Sequence, residues 1–150
     1  MTDTLDVTSS AFEEGGAIPS RHTCDGEDVS PPVGWAGAPE GTAAYTMIVD
    51  DPDAGGWIHW LVTDIPADRL GLDEGASGGS AGTEGRNDFG RTGHGGPCPP
   101  SGTHRYAFEV FALSESLGLA TAFSADELRA AMEGRVLGSG RLTGTYRREG

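Results

Sequence analysis

Apolar residues along this chain come in short runs cut by Gly and Pro, the rhythm of an all-β domain. Leu5 and Val7, set between polar neighbours, open an edge strand. The run Ala43 to Val49 gives the next clear strand, and Trp57 to Ile65 another, closed by Pro66. His104 to Leu113 carries the strongest strand signal. Its alternation sets His104, Tyr106, Phe108 and Val110 on one face, with Arg105 and Glu109 on the other. A last strand covers Arg141 to Arg147.

One helix is expected. Ser124 followed by Glu127 reads as a capping box, in which each side chain satisfies a backbone amide at the helix start. Leu128, Ala131 and Met132 continue it as a narrow apolar stripe, and Gly134 or Gly138 can end it. That stripe reads as packing. Between Gly71 and Gly96 lie ten glycines and little that is hydrophobic. Such a segment cannot bury enough to fold alone, so it is expected to be a long loop over one end of a β-sandwich, lining a site. No internal repeat or sustained heptad is present.

A chain of 150 residues with 36% hydrophobic content fits one domain, residues 1–150, with a modest core. No apolar run approaches the roughly 20 residues that span a bilayer. The acidic start, Met1 to Asp6, lacks the basic-then-apolar order of a secretory signal, so the expected location is cytoplasmic. Charge changes the picture more. The 23 acidic side chains outweigh 10 basic ones, every one of them arginine, for a net charge of −13. A field of that sign repels nucleic acid and anionic membranes, so neither is an expected partner. It suits a halophilic protein, where salt screens the self-repulsion; the alternative is an acidic face for a basic protein partner. Cys24 and Cys98 are too few for a disulfide scaffold, and no zinc spacing appears. They are either two buried thiols or one long-range bridge.

Three short segments place polar side chains beside strand ends. They are Asp50-Asp51-Pro52-Asp53-Ala54, Trp57-Ile58-His59-Trp60, and the Pro-rich run from Gly95 to Tyr106. Taken singly, each has a structural explanation in turn chemistry or a satisfied strand histidine. Taken in order, with Ser10-Ala11-Phe12, Thr23-Cys24-Asp25-Gly26, Ser30-Pro31-Pro32, Asn87-Asp88-Phe89-Gly90, Gly96-Pro97-Cys98-Pro99-Pro100 and Gly144-Thr145-Tyr146, they form a specific set. The set resembles the phosphatidylethanolamine-binding protein family, in its prokaryotic Raf kinase inhibitor-like branch, over nearly the whole chain.

The resemblance implies an antiparallel β-sandwich with a small cavity at one end that binds phosphate, phosphorylated head groups or other small anions. It assigns the pocket to Asp51, Asp53, Trp57, His59, Gly96, Pro97, His104 and Tyr106, with Pro52 and Arg105 in support. Arg105 faces away from His104 by alternation and is expected to pair with Asp51 or Asp53. A carboxylate beside a pocket imidazole favours its charged form, so Asp51 is expected to help His59 or His104 donate to an anion, together with the Tyr106 hydroxyl. Gly96 would let backbone amides approach. If the family fold brings their loops together, a Cys24–Cys98 bridge would tie two walls of the pocket. Two departures stand out: Gly55 where the family usually has Pro, and His94 where it usually has an aromatic before Gly-Pro. His94 is expected to face solvent, and His22 carries no assigned role.

Small-anion binding without a cofactor is the leading expectation. Inhibition of a serine protease or kinase through a presented loop is a second reading. A metal-binding hydrolase is a third, because two carboxylates and two histidines converge. Against catalysis, no Ser or Cys nucleophile has a base at motif spacing. A homodimer is compatible with the resemblance, though no exposed apolar stripe demands one.

Overall fold

The computed structural model describes residues 3–79 and 81–148. Those residues form two sheets and one α-helix. The smaller sheet joins β2 (Asp6–Thr8), β3 (Val33–Ala36) and β6 (Gly71–Leu72), all antiparallel and in that spatial order. The larger sheet is built from β1 (Asp3–Thr4), β4 (Ala44–Asp51), β5 (Trp57–Pro66), β7 (Thr83–Glu84), β8 (Thr103–Leu113) and β9 (Val136–Arg147). Its spatial order is β1-β9-β8-β4-β5-β7, antiparallel except where β1 runs parallel to β9.

The centre of the larger sheet is covered on both faces, which is why β4 and β5 read as near-continuous apolar runs instead of alternating ones. On one face Tyr45, Met47, Val49, Trp60, Tyr106 and Phe108 pack against Val33, Trp35 and Leu72 of the smaller sheet. On the other face Ile48, Ile58, Leu61 and Leu113 meet Phe123, Leu128 and Met132. The last two come from α1 (Ala125–Met132), the expected short helix.

The capping box is present at its start: Glu127 N donates to Ser124 Oγ at 3.1 Å, and Ser124 N donates to Glu127 Oε1 at 3.0 Å. The Ser124→Ala variant is expected to lose about 1 kcal/mol, read as a fall of about 2–4 °C in Tm by calorimetry. The helix ends at Met132, and Gly138 lies inside β9 instead of capping it. β9 begins five residues earlier than its apolar pattern predicts.

The glycine-rich segment is folded more tightly than a plain loop. It contains β6 and β7, and it is held by Glu84, a buried carboxylate. Glu84 accepts from Trp60 Nε1 at 2.7 Å, Ser77 Oγ at 2.6 Å and the Gly78 amide at 2.6 Å. Three protein donors on one carboxylate give this segment the anchor its apolar content does not.

Candidate functional site

Asp51 ends β4 and opens a 3-10 turn, Pro52–Ala54, whose start Pro52 preorganises. The Asp51 side chain caps that turn, with Oδ1 accepting from the Asp53 amide at 2.9 Å. Gly55 ends the turn at φ 69°, a left-handed conformation closed to proline, whose ring fixes φ near −65°. The turn is closed by Gly56 N, which donates to Asp51 O at 3.0 Å.

The antiparallel pairing of β4 with β8 brings the start of β8 beside this turn. His104 Nδ1 donates to Asp51 Oδ2 at 2.5 Å, and Asp51 is only 3% exposed. Arg105 points the other way, as alternation requires, and grips Asp53. Its amide and Nε donate to Asp53 Oδ2 at 2.8 and 3.1 Å, and Nη2 donates to Oδ1 at 2.8 Å. Those guanidinium and amide bonds hold the Asp53 carboxyl down at about 2. The arginine is thus committed to the scaffold.

His59, on β5, is nearly fully buried. Its Nδ1 lies 2.7 Å from the Gly95 carbonyl, which can only accept, so Nδ1 carries the proton. The ring meets Tyr106 and Phe89 edge-on at 5.1 and 5.4 Å between centroids. Burial pushes its pKa down, against weaker upward pulls from Gly95 and Asp51. The expected pairing with Asp51 therefore falls to His104 alone, because Asp51 Oδ2 is taken by that ring and His59 is turned toward Gly95. Tyr106 is 1% exposed, and burial followed by the Asp51 and Asp53 charges pushes its phenol pKa up, so it stays a donor.

These groups meet at one cavity of about 290 Å³. Asp51, Trp57, His59, His104 and Tyr106 line it, joined by Ala54, Phe89, Cys98, Pro99 and Pro100. Trp57 and Phe89 stand at its mouth, edge-on to each other at 5.6 Å and each about two-fifths exposed. Phe89 received no site role from the sequence, although a lone aromatic in a polar, glycine-rich loop was a usable signal. Asp53, Gly96 and Pro97 are not among the lining residues.

Gly96 and Pro97 instead lock the loop that carries them onto residues 20–30. The Gly96 amide donates to Asp28 Oδ1 at 2.9 Å, and Cys24 N donates to Pro97 O at 3.1 Å. A Cβ at Gly96 would collide with His22 O and Asp28. Close approach therefore explains this glycine, made by neighbouring protein in place of a ligand. Cys24 and Cys98 are joined in a disulfide across the same contact, with Cα atoms 5.4 Å apart. Cys98 lines the cavity, so the bridge ties its wall to the neighbouring loop. Among the described residues, no helix is long and apolar enough to cross a membrane.

His94 does not face solvent, contrary to the expectation from its loop. Its side chain is 4% exposed, packed edge-on to Trp60 at 5.5 Å, with Nε2 3.3 Å from His22 O and 3.6 Å from Asp28 Oδ1. His22 is buried too, with Nδ1 donating to Val29 O at 2.8 Å. Both rings are buried, and neither is among the residues lining the cavity.

A family model described as phosphatidylethanolamine-binding protein matches residues 8–147. The chain belongs to the phosphatidylethanolamine-binding protein family. Among curated members, a UPF0098 protein of Methanothermobacter thermautotrophicus is 44% identical over 150 residues, covering 96% of this chain and 99% of its own. A phosphatidylethanolamine-binding protein homologue of Chlamydia trachomatis superposes with a TM-score of 0.92 at 33% identity, covering 99% of this chain and 100% of its own. Escherichia coli YbcL, described as a member of the mammalian PEBP family, gives 0.89 at 33%, with 97% and 99% covered. The antiparallel sandwich is thus the fold of phosphatidylethanolamine-binding proteins, as the sequence motifs implied.

Proposed function

We propose that the cavity binds a small oxyanion of the phosphate class, free phosphate or the phosphoryl head of a larger molecule. The observation that carries this reading is the meeting of His104, His59 and the Tyr106 hydroxyl at one cavity of about 290 Å³. Tyr106 has no hydrogen-bond partner among the described residues, so its phenol is available to an oxygen of the ligand. His104 is oriented through Nδ1 by Asp51, leaving Nε2 as the atom that donates when the ring carries both protons. The aromatic mouth at Trp57 and Phe89 suits an organic group attached to the anion.

Charge works against the ligand at long range, since the chain carries −13. The donors must act at short range in a partly desolvated pocket, where hydrogen bonds to an anion are strongest. Thermal unfolding with and without phosphate or phosphoethanolamine tests the reading. A ligand at about 100 times its Kd is expected to add about 2.7 kcal/mol, and His104→Ala is expected to remove that gain. Sodium chloride of matched ionic strength is the control, because any salt relieves self-repulsion of an acidic chain. An equal rise with chloride would sink the proposal.

A further inference from the structure

At His59 the protein presents an acceptor to the cavity. His59 Nδ1–H is spent on the Gly95 carbonyl at 2.7 Å, so the other nitrogen, Nε2, bears a lone pair, and the residue lines the cavity. The residue is 3% exposed and its ring meets Tyr106 and Phe89 edge-on, and turning it over would break its bond to the Gly95 carbonyl. Asp51, the carboxylate lining the same cavity, already has both oxygens engaged, Oδ1 by the Asp53 amide and Oδ2 by His104. A ligand oxygen placed against His59 must therefore bring a hydrogen of its own. If it brings none, two lone pairs face each other in a desolvated site.

We propose that the cavity selects oxyanions that still carry a hydrogen, such as the monoanion of a phosphomonoester, over equally charged oxyanions that carry none, with His59 Nε2 accepting that hydrogen. The inference rests on the oxyanion reading above and names the ionic form the site takes. Two polarities are then served at once. Tyr106 donates to a bare oxygen of the ligand, as does His104 when its ring carries both protons, and His59 accepts from the ligand's hydroxyl. A net charge of −1 on the ligand also meets less opposition from Asp51, Asp53 and the acidic surface than −2 would. Burial disfavours a charged His59, which favours the accepting form of the ring.

Methyl phosphate and methyl sulfate make the test. Below the phosphomonoester's second pKa of about 6, both are methylated tetrahedral monoanions of similar size, and only the phosphate retains an O–H. Calorimetric titration of the whole chain at about pH 5.5 is expected to give methyl phosphate an affinity at least about tenfold above methyl sulfate, as sites built around a ligand hydroxyl reject analogues lacking it. The ratio should fall about tenfold toward about pH 8, where the phosphate loses its hydrogen and the sulfate is unchanged. His59→Gln, whose amide can present either a donor or an acceptor, is expected to bring the two ligands within about threefold of each other while methyl phosphate still binds. If that variant does not fold, the wild-type ratio and its pH dependence decide the question. Equal affinities for the two ligands in the wild type, at both pH values, would overturn the proposal while leaving oxyanion binding intact. Failure of both ligands to bind at either pH would remove the oxyanion reading itself, and this inference with it.

Discussion

Replacing Cys24 and Cys98 together by serine is expected to lower the Tm by about 8–16 °C while the two sheets persist. The bridge spans 74 residues in sequence. The chain-entropy relation gives a loop of that length about 4 kcal/mol, acting through the unfolded chain. In the folded state the same two loops are also held by the Cys24 amide on Pro97 O, the Gly96 amide on Asp28 and His94 Nε2 on His22 O. Those bonds survive the substitution, so circular dichroism should be unchanged at low temperature. Reduction of the wild type should reproduce the double variant. A fall under about 2 °C in both experiments would mean that the bridge does not restrain the unfolded chain. Because Cys98, Pro99 and Pro100 form part of the cavity wall, ligand affinity read alongside Tm shows whether the bridge also shapes the site.

The fold was most legible where side chains carry the signal. β4, β5 and β8 are runs of aromatic and branched residues, and their positions follow from the sequence with small changes at the ends. β3 was missed because Val33-Gly34-Trp35-Ala36 is too short to show a period. The front of β9 was missed because Leu137-Gly138-Ser139-Gly140 offers backbone hydrogen bonds and little side-chain pattern. Gly140 is there for close approach: a Cβ would run into the Leu5 carbonyl.

In the site, the residue types were legible and their partners were not. Asp51, His59 and His104 stand at strand ends where chemistry is expected, but which histidine meets Asp51 depends on the β4–β8 pairing and on the turn that follows. The pairing Asp50↔Ala107 carries the strands to that turn, and the Asp51–His104 bond follows from it. Gly96 and Pro97 were assigned to ligand because their loop feeds the pocket. Their hydrogen bonds run to residues 20–30, far away in sequence, and the Gly96 backbone also acts on the His59 ring. His94 was misplaced for a related reason. A glycine-rich composition suggests exposure, yet its loop is pulled inward by long-range bonds that no local pattern encodes.

That buried histidine gives the second large effect, a loss of stability on mild acidification. Burial pushes the His94 pKa down to about 4, outweighing the upward pulls of the Asp28 carboxylate and the His22 carbonyl; His59 and His22 add to the downward shift. Its Nδ1 is buried without a hydrogen-bond partner, so a proton added there would have no acceptor. In the unfolded chain the same ring takes up a proton below its ordinary value of 6.5. Between those two values the unfolded state binds more protons than the folded one, so stability rises with pH across the window and falls as acid is added. From about pH 7.5 to about pH 5 the loss from His94 alone is about 2 kcal/mol, or about 4–8 °C in Tm. His59, also shifted down by burial, adds to the loss in the same direction. Asp53, held at about 2, keeps its full contribution until the pH drops toward its ordinary value of 3.8. The raised pKa of Asp50 runs with the opposite sign, favouring the fold as that carboxyl takes its proton near the acid end of the range. The His94→Phe variant keeps an aromatic ring against Trp60 and removes the titration. Its Tm should therefore vary with pH less than the wild type's, by about the amount assigned to His94, and parallel curves for the two proteins would show that this ring is not buried in its neutral form.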